Sequence, residues 1–312
     1  MLLRIFPEGM RQKWKHAAGA SELQEIRLRA GKPILLYIKG AEWYMDRNGN
    51  LTRKEGQAAE AGRKEMEQLI SYVCDNSMYA YEEEIRQGYL TLPGGHRMGL
   101  VGETVLEETG RIRKIKHISG INIRIAHEKK GVATPLMPWL YRDGIFLNTL
   151  LVSPPCGGKT TMLRDIVRQI SDGNPCAPGM TVGIVDERSE IAGTYRGIHG
   201  NDVGVRTDVL DGCPKAQGMM LLVRSMSPRV IAVDELGGED EIRALHHVLQ
   251  CGCKILATMH AGSIQEAVGR LGYGAEGTSF DRYVMLGKKG ESYGVLSVWD
   301  GKFGALTEGR LC

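Results

Sequence analysis

Residues 153–161 read SPPCGGKTT. The ending, Gly157-Gly158-Lys159-Thr160, is that of a phosphate-binding loop, but Ser153 stands where glycine is usual and two prolines follow it. Such a loop needs backbone N–H groups turned inward, a lysine for the β- and γ-phosphates, and a hydroxyl for Mg²⁺. The donors come mainly from the later positions, here Cys156, Gly157, Gly158, Lys159 and Thr160, and none of these is proline. Pro154 and Pro155 lack N–H groups but fall where the loop only turns. Adjacent glycines let the backbone approach a phosphate closely. The segment Pro155, Cys156, Gly157, Gly158, Lys159, Thr160 and Thr161 is therefore the expected phosphate cradle. The other reading of the loop, taken alone, is a Gly-Gly turn with a surface lysine.

The flanks separate these readings. The apolar run LLV precedes the loop, and TTMLRDIVRQI after it has the pattern of a helix, whose N-terminus favours anions. Further along, VGIV (182–185), RVIAV (229–233) and KILAT (254–258) are short, nearly continuous apolar runs, each followed by a loop and a helix-like segment. That alternation implies a parallel sheet covered on both faces, an open α/β fold. Ligands of such sheets sit beyond the carboxyl ends of the strands.

Each run ends in residues suited to that place. RVIAVDE puts Asp234 and Glu235 at a strand end. Asp234 suits holding Mg²⁺ through water, and Glu235 suits polarising an attacking water as general base. A loop that would hold ATP followed at this spacing by paired acids predicts a RecA-like P-loop NTPase core. VGIVDERSEIAG places Asp186, Glu187 and Arg188 after another strand, with Glu187 as a second candidate to orient water or as a solvated loop acid. KILATMHAG places Thr258 and His260 where either can bond the γ-phosphate or the attacking water; the bland alternatives are a core threonine and a satisfied histidine. The candidate catalytic set is thus Glu235, Glu187, Lys159 and His260, with Thr160 and Asp234 as metal ligands.

The N-terminal part has a different texture. ELQEIRLRAGKPILLYIKGAEWYM (22–45) reads as short strands with a turn at Gly31–Pro33. GRKEMEQLISYVCDNSMYAYEEEI (62–85) reads as helical, with Met66, Leu69, Ile70, Val73 and Cys74 on one face. GYLTLPGGHRMGLVGETV (88–105) reads as a hairpin about Pro-Gly-Gly, and Ile121–Ile125 as an alternating strand. These predict a smaller α+β domain over residues 1–130 and the NTPase core over 131–312, with a helix leading into FLNTLLV. FDRYVMLGKKGESYGVLSVWDGKFG (280–304) reads as two strands closing the core sheet.

Composition narrows the class. The 312 residues carry 42% hydrophobic and 25% charged side chains, ordinary for a globular chain, and a net charge of +3 is too small to argue for nucleic acid. Seven cysteines without a repeated C-x-x-C suggest reduced thiols. The N-terminus lacks the apolar core of a signal peptide, and the longest apolar stretch, GIFLNTLLVS, is too short to span a bilayer. The expected location is cytoplasmic, with any membrane association made through a partner.

Together, LLVSPPCGGKTTMLRDIVRQIS, VGIVDERSEIAGTYRG, NDVGVRTDVLDGCPKAQGMMLLVRSMSPRVIAVDELG and KILATMHAG resemble the stage III sporulation protein AA family. Its ATPase core is similar to those of the type II and type IV secretion and pilus-retraction systems. Members commonly begin the loop with Ser-Pro-Pro. EIRLRAGKPILLYIKG is similar to the first strands of the N-terminal domain of the pilus-retraction ATPases. The resemblance implies an ATPase with ATP and Mg²⁺ that works as a homo-oligomeric ring, six-membered by analogy. It implies membrane proteins of a channel complex between mother cell and forespore as partners. It also implies an arginine acting in trans, for which Arg97 and Arg124 are the N-terminal candidates and Arg206 or Arg224 the competitors. Two other functions stand against it. A nucleic-acid-stimulated ATPase would use the basic stretch 111–130, which has no aromatic residue for base stacking. A nucleotide-binding scaffold would leave Glu187 and Glu235 without a task.

Overall fold

The computed structural model describes residues 2–155, 157–272, 279–289 and 292–306. The chain forms two compact units. One comprises the residues up to His127 together with Gly193–Gly200, and the other comprises Glu128–Ala192 and the residues from Asn201 onward.

The first unit is built on a seven-stranded sheet in the order β4-β3-β2-β1-β7-β6-β5. Its strands are β1 (Leu23–Arg29), β2 (Leu35–Ile38), β3 (Ala41–Met45), β4 (Leu51–Thr52), β5 (Tyr89–Leu92), β6 (His96–Leu106) and β7 (Ile112–Arg124), and neighbours run antiparallel. Alternation buries one face: Ile26 and Leu28 of β1, Ile121 and Ile123 of β7, and Met98 and Leu100 of β6 share a core with helices α1 (Glu8–Ala18) and α2 (Arg63–Val73). Gly31, at φ 68°, makes the turn after β1, and Gly94 and Gly95, at 87° and 73°, make the β5–β6 hairpin.

The helical segment expected from residue 62 to 85 is interrupted. Met66, Leu69, Ile70, Val73 and Cys74 are buried as the periodicity requires. Asp75 and Asn76 then take left-handed backbone (φ 49° and 60°), which ends α2 before a short 3₁₀ turn and α3 (Glu82–Arg86). The basic stretch is not free charge throughout: Lys116 pairs with Glu103 across β6 and β7, and Lys130 pairs with Asp202 and Glu128 in the second unit.

The second unit carries an eight-stranded sheet in the order β10-β9-β11-β12-β8-β13-β14-β15. The strands are β8 (Thr149–Ser153), β9 (Val182–Asp186), β10 (Thr207–Asp211), β11 (Val230–Val233), β12 (Lys254–His260), β13 (Arg282–Lys289), β14 (Ser292–Asp300) and β15 (Ala305–Leu306). Strands β8 to β13 pair in parallel, and β14 and β15 add an antiparallel edge. Every residue of β8, β9 and β11 is buried, which is why they read as unbroken apolar runs. Helices α4 (Lys159–Asp172), α5 (Lys215–Ser225), α6 (Glu239–Gln250) and α7 (Ile264–Arg270) connect them.

Two expectations are corrected here. The lead-in to β8 is no α-helix but a set of turns with a 3₁₀ piece at Met137–Trp139, because Pro135 and Pro138 each remove a backbone donor. Cys176 is disulfide-bonded, so the thiols are not all reduced, although Cys74, Cys213, Cys251 and Cys253 are free.

Candidate active site

The site forms where β8, β9, β11 and β12 end. Parallel register sets Ser153, the last residue of β8, beside His260, the last of β12. From Ser153 the chain turns through Pro154 and Pro155, and the Gly157 amide donates to the Pro154 carbonyl at 3.2 Å. Gly158 has φ 81°, a left-handed value that suits glycine, and precedes the first residue of α4. A Cβ on Gly157 would lie 2.1 Å from Ser153 Oγ, so that glycine is required by close packing. The turn therefore keeps the bare backbone a phosphate cradle needs. Pro155 is exposed on it, Thr160 and Thr161 are half-buried at the start of α4, and Cys156 lies outside the described residues.

Lys159 is 5% exposed. Its Nζ donates to His260 Nδ1 at 2.8 Å and to Ser153 Oγ at 3.4 Å. An ammonium can only donate, so His260 Nδ1 accepts and Nε2 carries the ring proton. That Nε2–H donates to Glu235 Oε1 at 2.7 Å. Arg188, 62% exposed, donates to the other carboxylate oxygen at 3.2 Å. Burial pushes the Glu235 pKa up, but the His260 hydrogen bond and the charges of Arg188 and Lys159 hold it below the usual range.

Thr160 Oγ1 donates to Asp234 Oδ2 at 2.6 Å, and Thr258 Oγ1 donates to Asp234 Oδ1. The same Thr258 hydroxyl accepts the Glu235 amide at 2.9 Å. Thr258 thus orders two consecutive acids from the neighbouring strand. Thr160 and Asp234 converge on one point as a hydroxyl and a carboxylate must to hold Mg²⁺. That cation keeps much of its shell as water and phosphate oxygen, so few protein ligands suffice. The residues present fit the ion.

Asp186 and Glu187, neighbours in sequence, do different work. The Asp186 carboxylate is buried and accepts the amides of Glu190, Ile191 and Ala192 at 2.8–3.0 Å. Burial pushes its pKa up to about 6 against the pull of those amides. It holds the loop after β9. Glu187 lines a small cavity with Arg188, Lys215, Asp234 and Glu235, and pairs with Lys215 at 3.4 Å.

Sequence reasoning overlooked Lys215 and Arg164. Lys215 stands in RTDVLDGCPKA, directly after Pro214 at the start of α5, where a basic residue runs against the helix dipole. Arg164, on α4, donates to the carbonyls of Ile191 and Glu190 at 2.5 and 2.6 Å, so the phosphate-loop helix and Asp186 grip the same loop. Each of the four arginine candidates has surroundings of its own within its unit. Arg97 stacks 3.9 Å over Tyr89, and Arg124 is exposed beside it in the β6–β7 register. Arg206 donates to the Ser171 carbonyl at 2.9 Å, and Arg224 is exposed in the last turn of α5.

A glycine-tight loop ending in Lys-Thr, paired acids on a neighbouring strand and an open parallel sheet define a RecA-like P-loop fold. Solved structures agree on that fold. The Legionella pneumophila ATPase DotB superposes with a TM-score of 0.59 at 17% identity, over 95% of this chain and 81% of that one. The pilus retraction motor PilT with bound ADP gives 0.59 at 13% identity, over 88% and 79%. The family model described as sporulation stage III, protein AA matches residues 2–306, and the chain belongs to that family. The stage III sporulation protein AA of Bacillus subtilis (strain 168) is 38% identical over 297 residues, 92% of this chain and 90% of its own length.

Proposed function

We propose that the chain hydrolyses ATP with Mg²⁺ and works as a ring-forming motor for a channel complex of sporulation. The observation that carries the reading is a single imidazole, His260, bonded at one nitrogen to Lys159 and at the other to Glu235. A phosphate lysine and a carboxylate base are thereby held a ring's width apart, with Thr160 and Asp234 beside them.

The chemistry follows from those positions. Lys159 and the inward N–H groups at the start of α4 take the phosphate charge. Thr160 and Asp234 would hold Mg²⁺, which would neutralise charge on the β- and γ-phosphates. Glu235 accepts the proton of the attacking water, and ADP and phosphate leave. Its lowered pKa keeps it ionised and ready. Glu187, occupied by Lys215, is the weaker candidate for that proton.

A site of this kind needs a further cation for the transition state. An arginine of a neighbouring copy, Arg97 or Arg124 or else Arg206 or Arg224, would supply it, which makes the ring, six-membered by family analogy, part of the enzyme. Among the described residues no helix is long and apolar enough to cross a membrane. The motor would act from the cytoplasm, at the membrane through its channel partners. Nucleic acid is the weaker alternative, since two lysines of the basic stretch are already paired.

Phosphate release by the native chain and by Glu235→Gln tests the base. A loss on the order of 100-fold or more is expected. Equal release would remove Glu235 from that role.

A further inference from the structure

We infer that Lys215 is a positioning residue for catalysis, fixing the backbone of Glu235 and neutralising Glu187 beside it; this rests on the reading of Glu235 as the base. Lys215 opens α5 with Pro214 before it and no acid in the first turn. A cation at a helix N-terminus opposes the helix dipole, so helix stability does not account for a lysine there. Its contacts do. Nζ donates to the Glu235 carbonyl at 2.8 Å and lies 3.1 Å from Glu241 Oε1 and 3.4 Å from Glu187 Oε2. Its side chain is 11% exposed.

The Glu235 carbonyl is an unusual acceptor because of its residue's backbone. Glu235 has φ 55°, a left-handed conformation that is uncommon and strained for a glutamate. Thr258 Oγ1 holds its amide and Lys215 Nζ holds its carbonyl, so both sides of the strained residue are fixed. The Glu241 carboxylate that Lys215 pairs with also accepts the amides of Gly237 and Gly238, tying the turn after Glu235 to the start of α6. Lys215 further balances Glu187, whose charge would otherwise face Glu235 across the same small cavity. It acts through Glu235 and Glu187, and its hydrogen bond and ion pairs among the described residues go to Glu235, Glu187 and Glu241 rather than to Thr160 or Asp234, so its loss should lower turnover and spare nucleotide affinity.

The experiment uses the full chain as Lys215→Met, Glu235→Gln, the two combined, and Lys215→Met with Glu187→Gln. Turnover, the affinity for a fluorescent ATP analogue with Mg²⁺, and amide hydrogen exchange without nucleotide are measured on each. Expected for Lys215→Met is a loss in kcat on the order of 100-fold, as for a small misplacement of a reacting group. Analogue affinity should stay within about threefold, and the Glu235 and Leu236 amides should exchange at least about tenfold faster. Adding Glu187→Gln should recover part of kcat by removing the charge left unpaired, and adding Lys215→Met to Glu235→Gln should cost nothing more. Unchanged kcat, unchanged exchange, or analogue affinity falling in step with kcat overturns the proposal. If Lys215→Met does not fold, Lys215→Arg keeps the charge but displaces the donor from the Glu235 carbonyl, and the same loss in kcat with intact affinity is required of it. Native turnover in Glu235→Gln would sink the base assignment and the proposal together, whereas failure of Lys215 alone leaves Glu235→Gln inactive and Lys215→Met active.

Discussion

His260 Nε2 donates to Glu235 Oε1 at 2.7 Å, and this bond couples the last residue of β12 to the acid that follows β11. It does most to hold the Glu235 pKa down against the upward push of burial.

Replacing His260 with Ala should therefore let the Glu235 pKa rise. A base held low stays ionised as pH falls, so in the variant the acid limb of the kcat profile should move to higher pH. Turnover at neutral pH should fall roughly 10- to 100-fold as the base loses its orientation. A pH–rate series on the native and variant chains checks both. An acid limb that does not move would detach His260 from the titration of Glu235.

Gly157 touches Ser153 so closely that Gly157→Ala must shift the loop. The expected effect is about 1–3 kcal/mol of lost stability and a loss of nucleotide binding. Ser153→Gly, which creates the usual loop opening, removes both the Oγ and the Cβ that the new methyl would strike. It should partly restore binding in the double variant. Thermal unfolding and analogue titration on the four chains measure this, and no restoration would place the clash elsewhere, with the Pro154 carbonyl 3.0 Å away as the next neighbour.

Asp186 is buried with its pKa raised to about 6, above the roughly 3.9 of an unfolded aspartate. A carboxyl that binds its proton more tightly when folded adds stability at low pH and loses it as pH rises through the folded value. Relative to Asp186→Asn, the native chain should lose stability between about pH 4 and 6, by up to roughly 3 kcal/mol. Denaturant titrations at several pH values test the sign; a difference that is flat or grows with pH contradicts it.

Much of the site was readable because strand ends in an open parallel sheet gather residues that lie far apart in the chain. Lys159, Thr160, Asp234, Glu235, Thr258 and His260 each follow an apolar run, and the register of β8, β11 and β12 brings them within hydrogen-bond reach. Lys215 was not readable in that way. Its role depends on one helix start meeting acids from three other segments, Glu187, Glu235 and Glu241, which no local pattern encodes. Asp186 and Glu187 look alike in sequence, and only burial separates the loop-holding acid from the one in the cavity. In the N-terminal unit, alternation located the strands, while the Asp75–Asn76 break in the helix depended on two residues in left-handed backbone. Asn and Asp tolerate that conformation without announcing it.

If the ATPase is completed by its own copies, ATP hydrolysis must depend on how much of the chain is present, so hydrolysis is followed across protein concentration with Lys159→Ala alongside. Activity should rise faster than protein concentration and be lost in the variant. Activity strictly proportional to concentration would contradict the shared site, and activity that survives Lys159→Ala would contradict the phosphate-loop assignment itself.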